Sequence, residues 1–199
     1  AQIRRYNADG SGMEVIATGV RNTVGFDWHP VTKELWFSDH GRDWMGDDTP
    51  DDELNRMPKT GLNFGFPYCH ATGVPDRDIK KDKPCDGVTL PVANMGPHAA
   101  VMGVTFYTGN MFPAEYRNVL FNARKGSWNR TKKIGYDVVM VRADADGKNA
   151  KVEPFMTGFY NEADQSFWGR PAYLHQMKDG SMLVSDEQMG VIYRVTYSK

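Results

Sequence analysis

The chain repeats itself, and that repetition constrains the fold more than any other feature of the sequence. Arg5 to Gly10 (RYNADG) returns as Arg142 to Gly147 (RADADG), and each copy is followed by a strand-like run ending in Thr-Gly, at Thr18-Gly19 and Thr157-Gly158. Leu35-Trp36-Phe37-Ser38-Asp39 is echoed by Leu183-Val184-Ser185-Asp186, with Leu120-Phe121-Asn122-Ala123 between them. A unit that recurs in this way buries its apolar faces against its neighbours, so the spacing of the copies sets the architecture.

Runs of four to eight residues rich in β-branched and aromatic side chains alternate with turn residues, and no long 3.6-residue period interrupts them. In chain order they fall into a four-beat cycle, a to d. The chain opens on c (Ile3 to Asn7) and d (Met13 to Thr18). A first cycle has a at Gly25 to His29, b at Leu35 to Ser38, c at Glu53 to Met57 and a weak d at Asn63 to Phe66. A second has a at Val104 to Tyr107, b at Val119 to Ala123, c at Tyr136 to Arg142 and d at Lys151 to Met156. The last has a at Ala172 to Gln176, b at Met182 to Ser185 and c at Val191 to Tyr197. Four antiparallel strands per repeat make a propeller blade. The expectation is therefore an all-β chain, residues 1–199, forming a single but partial β-propeller of about three blades. Successive b strands are 85 and then 63 residues apart, so a loop insertion containing the cysteines is expected near 67–102. The missing blades would lie upstream of Ala1.

Composition removes several partners. With 24 basic and 25 acidic residues in 199, the formal net charge of −1 provides no field that steers the chain to nucleic acid or an anionic membrane. The longest apolar stretch, Val138 to Val141, is far below a membrane span. Cys69 and Cys85 share one Pro/Gly/Asp-rich segment, where a disulfide in an oxidising compartment is expected, two reduced thiols being the other reading.

Antiparallel alternation sorts the loops by face. The d-to-a loops hold Arg21-Asn22, His98 and Gly169-Arg170; the b-to-c loops hold His40-Gly41-Arg42, Lys125 to Asn129 and Glu187-Gln188. These loops share one mouth, and its basic and amide groups suit a planar polyanion beside a metal. Arginine offers a bidentate fork to carboxylates, lysine a point charge and asparagine an amide, while carbonyls in the Gly41-Arg42 turn suit an oxygen-seeking cation. The acidic run Asp47 to Glu53 reads as a calcium loop or as a solvated turn. The tryptophans at 28, 36, 44, 128 and 168 read as inter-blade core, with stacking on a sugar or cofactor ring as the other reading.

Gly19-Val20-Arg21-Asn22-Thr23-Val24-Gly25-Phe26, Leu35 to Gly41, Asp51-Asp52-Glu53-Leu54-Asn55 and Gly61 to Pro67 together resemble the glucose/sorbosone dehydrogenase family. Gly96-Pro97-His98, Phe106 to Gly109, Gly126 to Arg130 and Gly169-Arg170-Pro171 resemble its L-sorbosone-dehydrogenase-like branch. The resemblance implies a six-bladed propeller, exported to the bacterial periplasm or secreted. It implies pyrroloquinoline quinone and calcium in the mouth, oxidation of sugars or sugar aldehydes, and an electron acceptor such as a cytochrome or quinone. Carried over by motif, Arg21, Asn22, Lys125 and Arg170 would contact the cofactor, and the Gly41 and Arg42 carbonyls would hold the calcium. The family's catalytic histidine belongs to an earlier blade, so the base is expected upstream of Ala1, on N-terminal blades of the same protein. One branch has two arginines one residue apart near the last blade, whereas here Arg170 is followed by Pro171 and Ala172. Two alternatives stay open: a non-catalytic propeller binding carbohydrate or protein, and a calcium-dependent lactonase, which the basic mouth disfavours.

Overall fold

The computed structural model describes residues 1–198; Lys199, the end of the expected unit, lies outside them. Sixteen strands carry the described chain, and no α-helix interrupts them. Strands β3 (Phe26–Trp28), β4 (Leu35–Asp39), β5 (Asp51–Met57) and β9 (Ala93–Pro97) form one antiparallel sheet in that order. Strands β10 (Val101–Phe106), β11 (Leu120–Arg124), β12 (Asp137–Arg142) and β13 (Lys151–Met156) form the next. A three-stranded sheet of β14 (Pro171–Gln176), β15 (Met182–Asp186) and β16 (Val191–Val195) follows, and β1 (Gln2–Arg5) and β2 (Glu14–Thr18) form the first. These are blades of an open, partial β-propeller.

Three apolar clusters fill the seams between blades. Ile16, Leu35, Phe37, Met57 and Phe64 lie in the first, Trp36, Leu54, Met95, Phe106, Leu120 and Val139 in the second, and Phe121, Val138, Leu174, Met182 and Val184 in the third. Middle strands have both faces covered, which explains why their sequences are apolar without alternation. Successive side chains feed opposite seams, as the two-residue strand period requires: Val138 enters the third seam and Val139 the second, Phe37 the first and Trp36 the second. Each such side chain contributes about 1.5–3 kcal/mol by leaving water.

The blades converge on their inner strands, where glycine is a steric need. A Cβ on Gly25 would stand 2.1 Å from the Met102 carbonyl oxygen, and one on Gly103 would stand 2.8 Å from the Tyr173 Cα, so each of these glycines abuts the next blade's inner strand.

One strand assignment is corrected. The outer strand of the first complete blade is β9, not the Asn63 to Phe66 run. Leu62–Asn63 (β6) instead pairs in parallel with β2 on the preceding blade. Gly96 and Pro97 disguise β9 as loop, and both are tolerated because an outermost strand has a free edge. Residues 58–92 therefore connect β5 to β9. This connection contains the short hairpin of β7 (Cys69–His70) and β8 (Val74–Pro75), and a Cys69–Cys85 disulfide closes it.

The tryptophan expectation is corrected as well. Trp36 is core at 1% exposure, but Trp28, Trp44, Trp128 and Trp168 are half or more exposed. Trp44, Trp128 and Trp168 sit in loops, and Trp28, on the inner strand β3, faces an open groove beside β1.

Candidate functional site

The end of strand b holds the mouth in place. Asp39, the last residue of β4, accepts backbone N–H bonds from Arg21 (2.8 Å) and Asn22 (2.6 Å), while Ser38 Oγ accepts one from Gly25 (3.1 Å). Two blades on, Asp186 ends β15 and accepts the Arg170 N–H (2.9 Å), and Ser185 Oγ accepts that of Tyr173 (3.0 Å). The Ser-Asp echo in the sequence is thus a clamp on the loop that enters the same blade. The middle blade has Arg124 at this place, paired with Asp137 through two nitrogens at 2.8 and 2.6 Å.

Arg21, Asn22, His40, Gly41, Asp43, Asp52, His98, Ala100, Trp128 and Asn129 surround a polar cleft of about 210 Å³. Arg21 donates to Asp43 Oδ2 (2.9 Å); Asn129 Nδ2 donates to Asp43 Oδ1 (2.9 Å) and lies 3.3 Å from His98 Nδ1. Asn22 Nδ2 lies 3.3 Å from His40 Nδ1. His40 Nε2 donates to the Val101 carbonyl (2.6 Å) and His98 Nε2 to that of Gly46 (2.8 Å). Carbonyl oxygens can only accept, so both rings carry their proton on Nε2 and take the asparagine amides on Nδ1. Asp52 accepts from the Gly41 N–H (2.8 Å) and the Ala100 N–H (2.6 Å), tying the Gly41 turn to the next blade.

Burial shifts the carboxyls beneath this floor. It pushes Asp39 up to about 6 against the Arg21 and Asn22 N–H bonds, and Glu53 up to about 7 against its bonds from Asn55 and Ala71. Asp52 is raised for the same reason.

The remaining expected residues lie along the same rim. The Lys125 N–H donates to the Ala100 carbonyl (2.9 Å), and its ammonium pairs with Glu187 (2.6 Å). Arg170 donates to the carbonyls of Lys125 (3.2 Å) and Gly126 (3.1 Å) and stands 3.8 Å from Glu187. The Arg42 side chain turns away to Asp76 and Asp78 of the 58–92 connection, and its neighbours Gly41 and Asp43, not Arg42, line the cleft. Asp76 is buried, which raises its carboxyl, but hydrogen bonds from Arg42, the Ile79 N–H and His70 outweigh burial and hold it far below the usual carboxylate range.

The expectation of a basic mouth is corrected: Arg21, Arg42 and Lys125 each have a carboxylate partner. Glu187 comes from a loop of the same mouth, whereas Asp76 and Asp78 come from the 58–92 connection, which strand alternation does not place there. Asp43 and Asp76 are the acids of the candidate site that sequence reasoning missed, and Asp52, read as part of an acidic loop, serves instead as an acceptor for backbone N–H groups. The acidic run divides, with Asp51 to Glu53 in strand β5 and Asp47 and Asp48 bound by the 129–131 loop. Among the described residues no three His, Cys, Asp or Glu side chains converge to hold a metal. The Gly41 and Arg42 carbonyls accept no hydrogen bond from the described residues, and Asn129 Oδ1 is buried without a partner. An oxygen-seeking cation fits unengaged carbonyls of this kind.

A larger groove, about 800 Å³, runs beside β1 and β3 past exposed Phe26 and Trp28 and also reaches Arg21 and Asn22.

The fold and the cleft together define a class: a propeller that presents guanidinium, amide and free carbonyl groups at one mouth. Residues 5–162 match the model of the glucose/sorbosone dehydrogenase family, and the chain belongs to that family. A protein of unassigned function from Borreliella burgdorferi is 39% identical over 94% of this chain and 49% of its own length. The aldose sugar dehydrogenase of Escherichia coli is 28% identical over 58% of this chain and 30% of its own. Among solved structures, the pyrroloquinoline-quinone domain of Coprinopsis cinerea pyranose dehydrogenase superposes with a TM-score of 0.69 at 21% identity, covering 99% of this chain and 61% of that one. A family AA12 carbohydrate-active enzyme of Trichoderma reesei gives 0.73 at 19% identity, covering 94% and 54%. The quinone-bound aldose sugar dehydrogenase of Streptomyces coelicolor gives 0.66 at 20%, covering 95% and 46%. The chain spans half or less of the curated relatives it matches.

Proposed function

We propose that the chain is the C-terminal part of a quinone-dependent dehydrogenase acting on sugars or sugar aldehydes, with pyrroloquinoline quinone and calcium at the mouth. The Arg21-Asn22 pair carries the reading: Asp39 fixes its backbone, and both side chains face the cleft that Gly41 borders. The Arg21 fork and the Asn22 amide would take oxygens of the flat acidic cofactor, and Lys125 and Arg170 its carboxylates. The Gly41 and Arg42 carbonyls would ligate calcium. When bound, the quinone supplies the two-electron acceptor and calcium draws electron density from it.

Both ring nitrogens of His40 and His98 are engaged, so neither is assigned the role of base. We assign that role to upstream blades, which would pack into the 800 Å³ groove beside Phe26 and Trp28. The names of the Coprinopsis and Streptomyces relatives support the cofactor assignment, and the Escherichia relative the sugar substrate. Disulfides persist in oxidising compartments, so the Cys69–Cys85 bridge supports a periplasmic or secreted location. The electron acceptor would be a cytochrome or a quinone. No helix of the described residues is long and apolar enough to cross a membrane.

Titrating the chain with pyrroloquinoline quinone in calcium, followed by absorbance and Tm with a chelator control, tests the reading. Calcium-dependent binding that weakens in Arg21→Ala and Arg170→Ala is expected. Binding indifferent to calcium and to both substitutions would overturn it.

A further inference from the structure

Trp44 and Trp128 stand together on the rim of the cleft at 78% and 63% exposure, their rings 5.5 Å apart and nearly perpendicular. An exposed apolar pair of this size forgoes most of the stabilisation that burial would give it. Trp44 also holds a φ of 65°, a left-handed backbone that is rare for a bulky side chain and costs about 1–3 kcal/mol. Strain of that kind persists only where the surroundings impose it, and here they do. Arg130 donates to the Asp47 carbonyl (2.8 Å) and to Asp48 (3.0 Å), the Thr131 N–H to Asp47 (3.1 Å), Asn129 to Asp43, and His98 to the Gly46 carbonyl. Two loops from different blades are therefore pinned to each other, with the indoles held outward before any ligand arrives. Among the described residues neither indole N–H has an acceptor, whereas that of Trp168 donates to the Gly158 carbonyl.

We propose that Trp44 and Trp128 form a stacking platform for a pyranose ring, a carbohydrate subsite at the edge of the cleft. The C–H face of a sugar lies flat on an indole, and its hydroxyls reach the polar groups that fringe the pair. Asp47 and Asp48 on the Trp44 loop disfavour a phosphate-bearing ligand on the platform, while a neutral polyhydroxylated ring meets no charge penalty. Trp128 also borders the cleft, so a ring resting on the platform stands beside the groups that would hold the cofactor. The subsite rests on the sugar-dehydrogenase reading for its choice of ligand, although its binding needs neither quinone nor calcium.

The test titrates the chain, free of both, with cellotetraose and with maltotetraose, reading tryptophan fluorescence and calorimetric heat. Saturable quenching by at least one is expected, weakened about tenfold in Trp44→Ala and in Trp128→Ala, since each substitution removes one apolar face from the contact. Trp44→Phe should recover part of the loss. Both side chains are exposed, so Tm serves as a check that the variants fold. No saturable response to either glucan, or equal binding by the alanine variants, overturns the platform. Quinone binding retained in a chain that ignores sugars would leave the cofactor reading standing; sugar binding by a chain that ignores quinone would leave the platform standing alone.

Discussion

Single side chains set the behaviour of the mouth through groups that sequence reasoning ranks low. Asp39 and Glu53 face each other across β4 and β5, and burial raises both. A carboxyl raised on folding contributes stability that is complete below its unfolded value and is lost as pH climbs through the folded one. For these two the loss falls between about pH 4 and about pH 7, ending with Glu53. The chain should melt several degrees higher at pH 5 than at pH 8, roughly 5 °C. Glu53→Gln should flatten that slope in a pH series of calorimetric scans, and an unchanged slope would remove Glu53 as its source. Loop parity, which follows from strand alternation, puts Arg21, Asn22, His40 and Gly41 on a common face from sequence alone. It cannot pair Arg42 with Asp76, which lies 34 positions on in the 58–92 connection, outside the four-strand cycle that parity follows.

The blade is the element of this molecule, and its limits are steric. Gly25→Ala would push a Cβ into the backbone of the neighbouring inner strand, so we expect a loss of about 1–3 kcal/mol or more by urea denaturation. The 58–92 connection depends on its cross-link. Opening the 16-residue Cys69–Cys85 loop should cost roughly 3 kcal/mol, measurable as a lower denaturation midpoint in Cys85→Ser. Inner and middle strands are legible from β-branched and aromatic runs. Strand β9 is not, because its Gly96-Pro97 ending carries turn chemistry, and the Asn63 to Phe66 run takes its place through an apolar pattern that in fact serves the preceding blade.

At the scale of the whole molecule the blades form a row in which each touches only its neighbours, so stability is a sum over seams. The β10–β13 sheet has a seam on both faces, the β14–β16 sheet on one. Amide exchange should therefore be slowest in β11 and β12 and faster in β15, an order that proton-exchange mass spectrometry can read directly. Equal protection across the sheets would show that the row unfolds as a unit. The row is written into the repeating sequence, whereas the ion pairs that close over the mouth follow loop paths no repeat encodes.

The rim contacts are laid end to end: His40 rests on the Val101 carbonyl of the next blade, Lys125 on Ala100 within that blade, and Arg170 of the blade after on Lys125 and Gly126. Like courses of masonry in an arch, each position is referenced to the one before it, so small angular errors accumulate around the opening. The spacing between Arg21 and Arg170 is thus a tolerance spread over two joints, and a substitution deep in either joint can retune the aperture while both arginines keep their local partners.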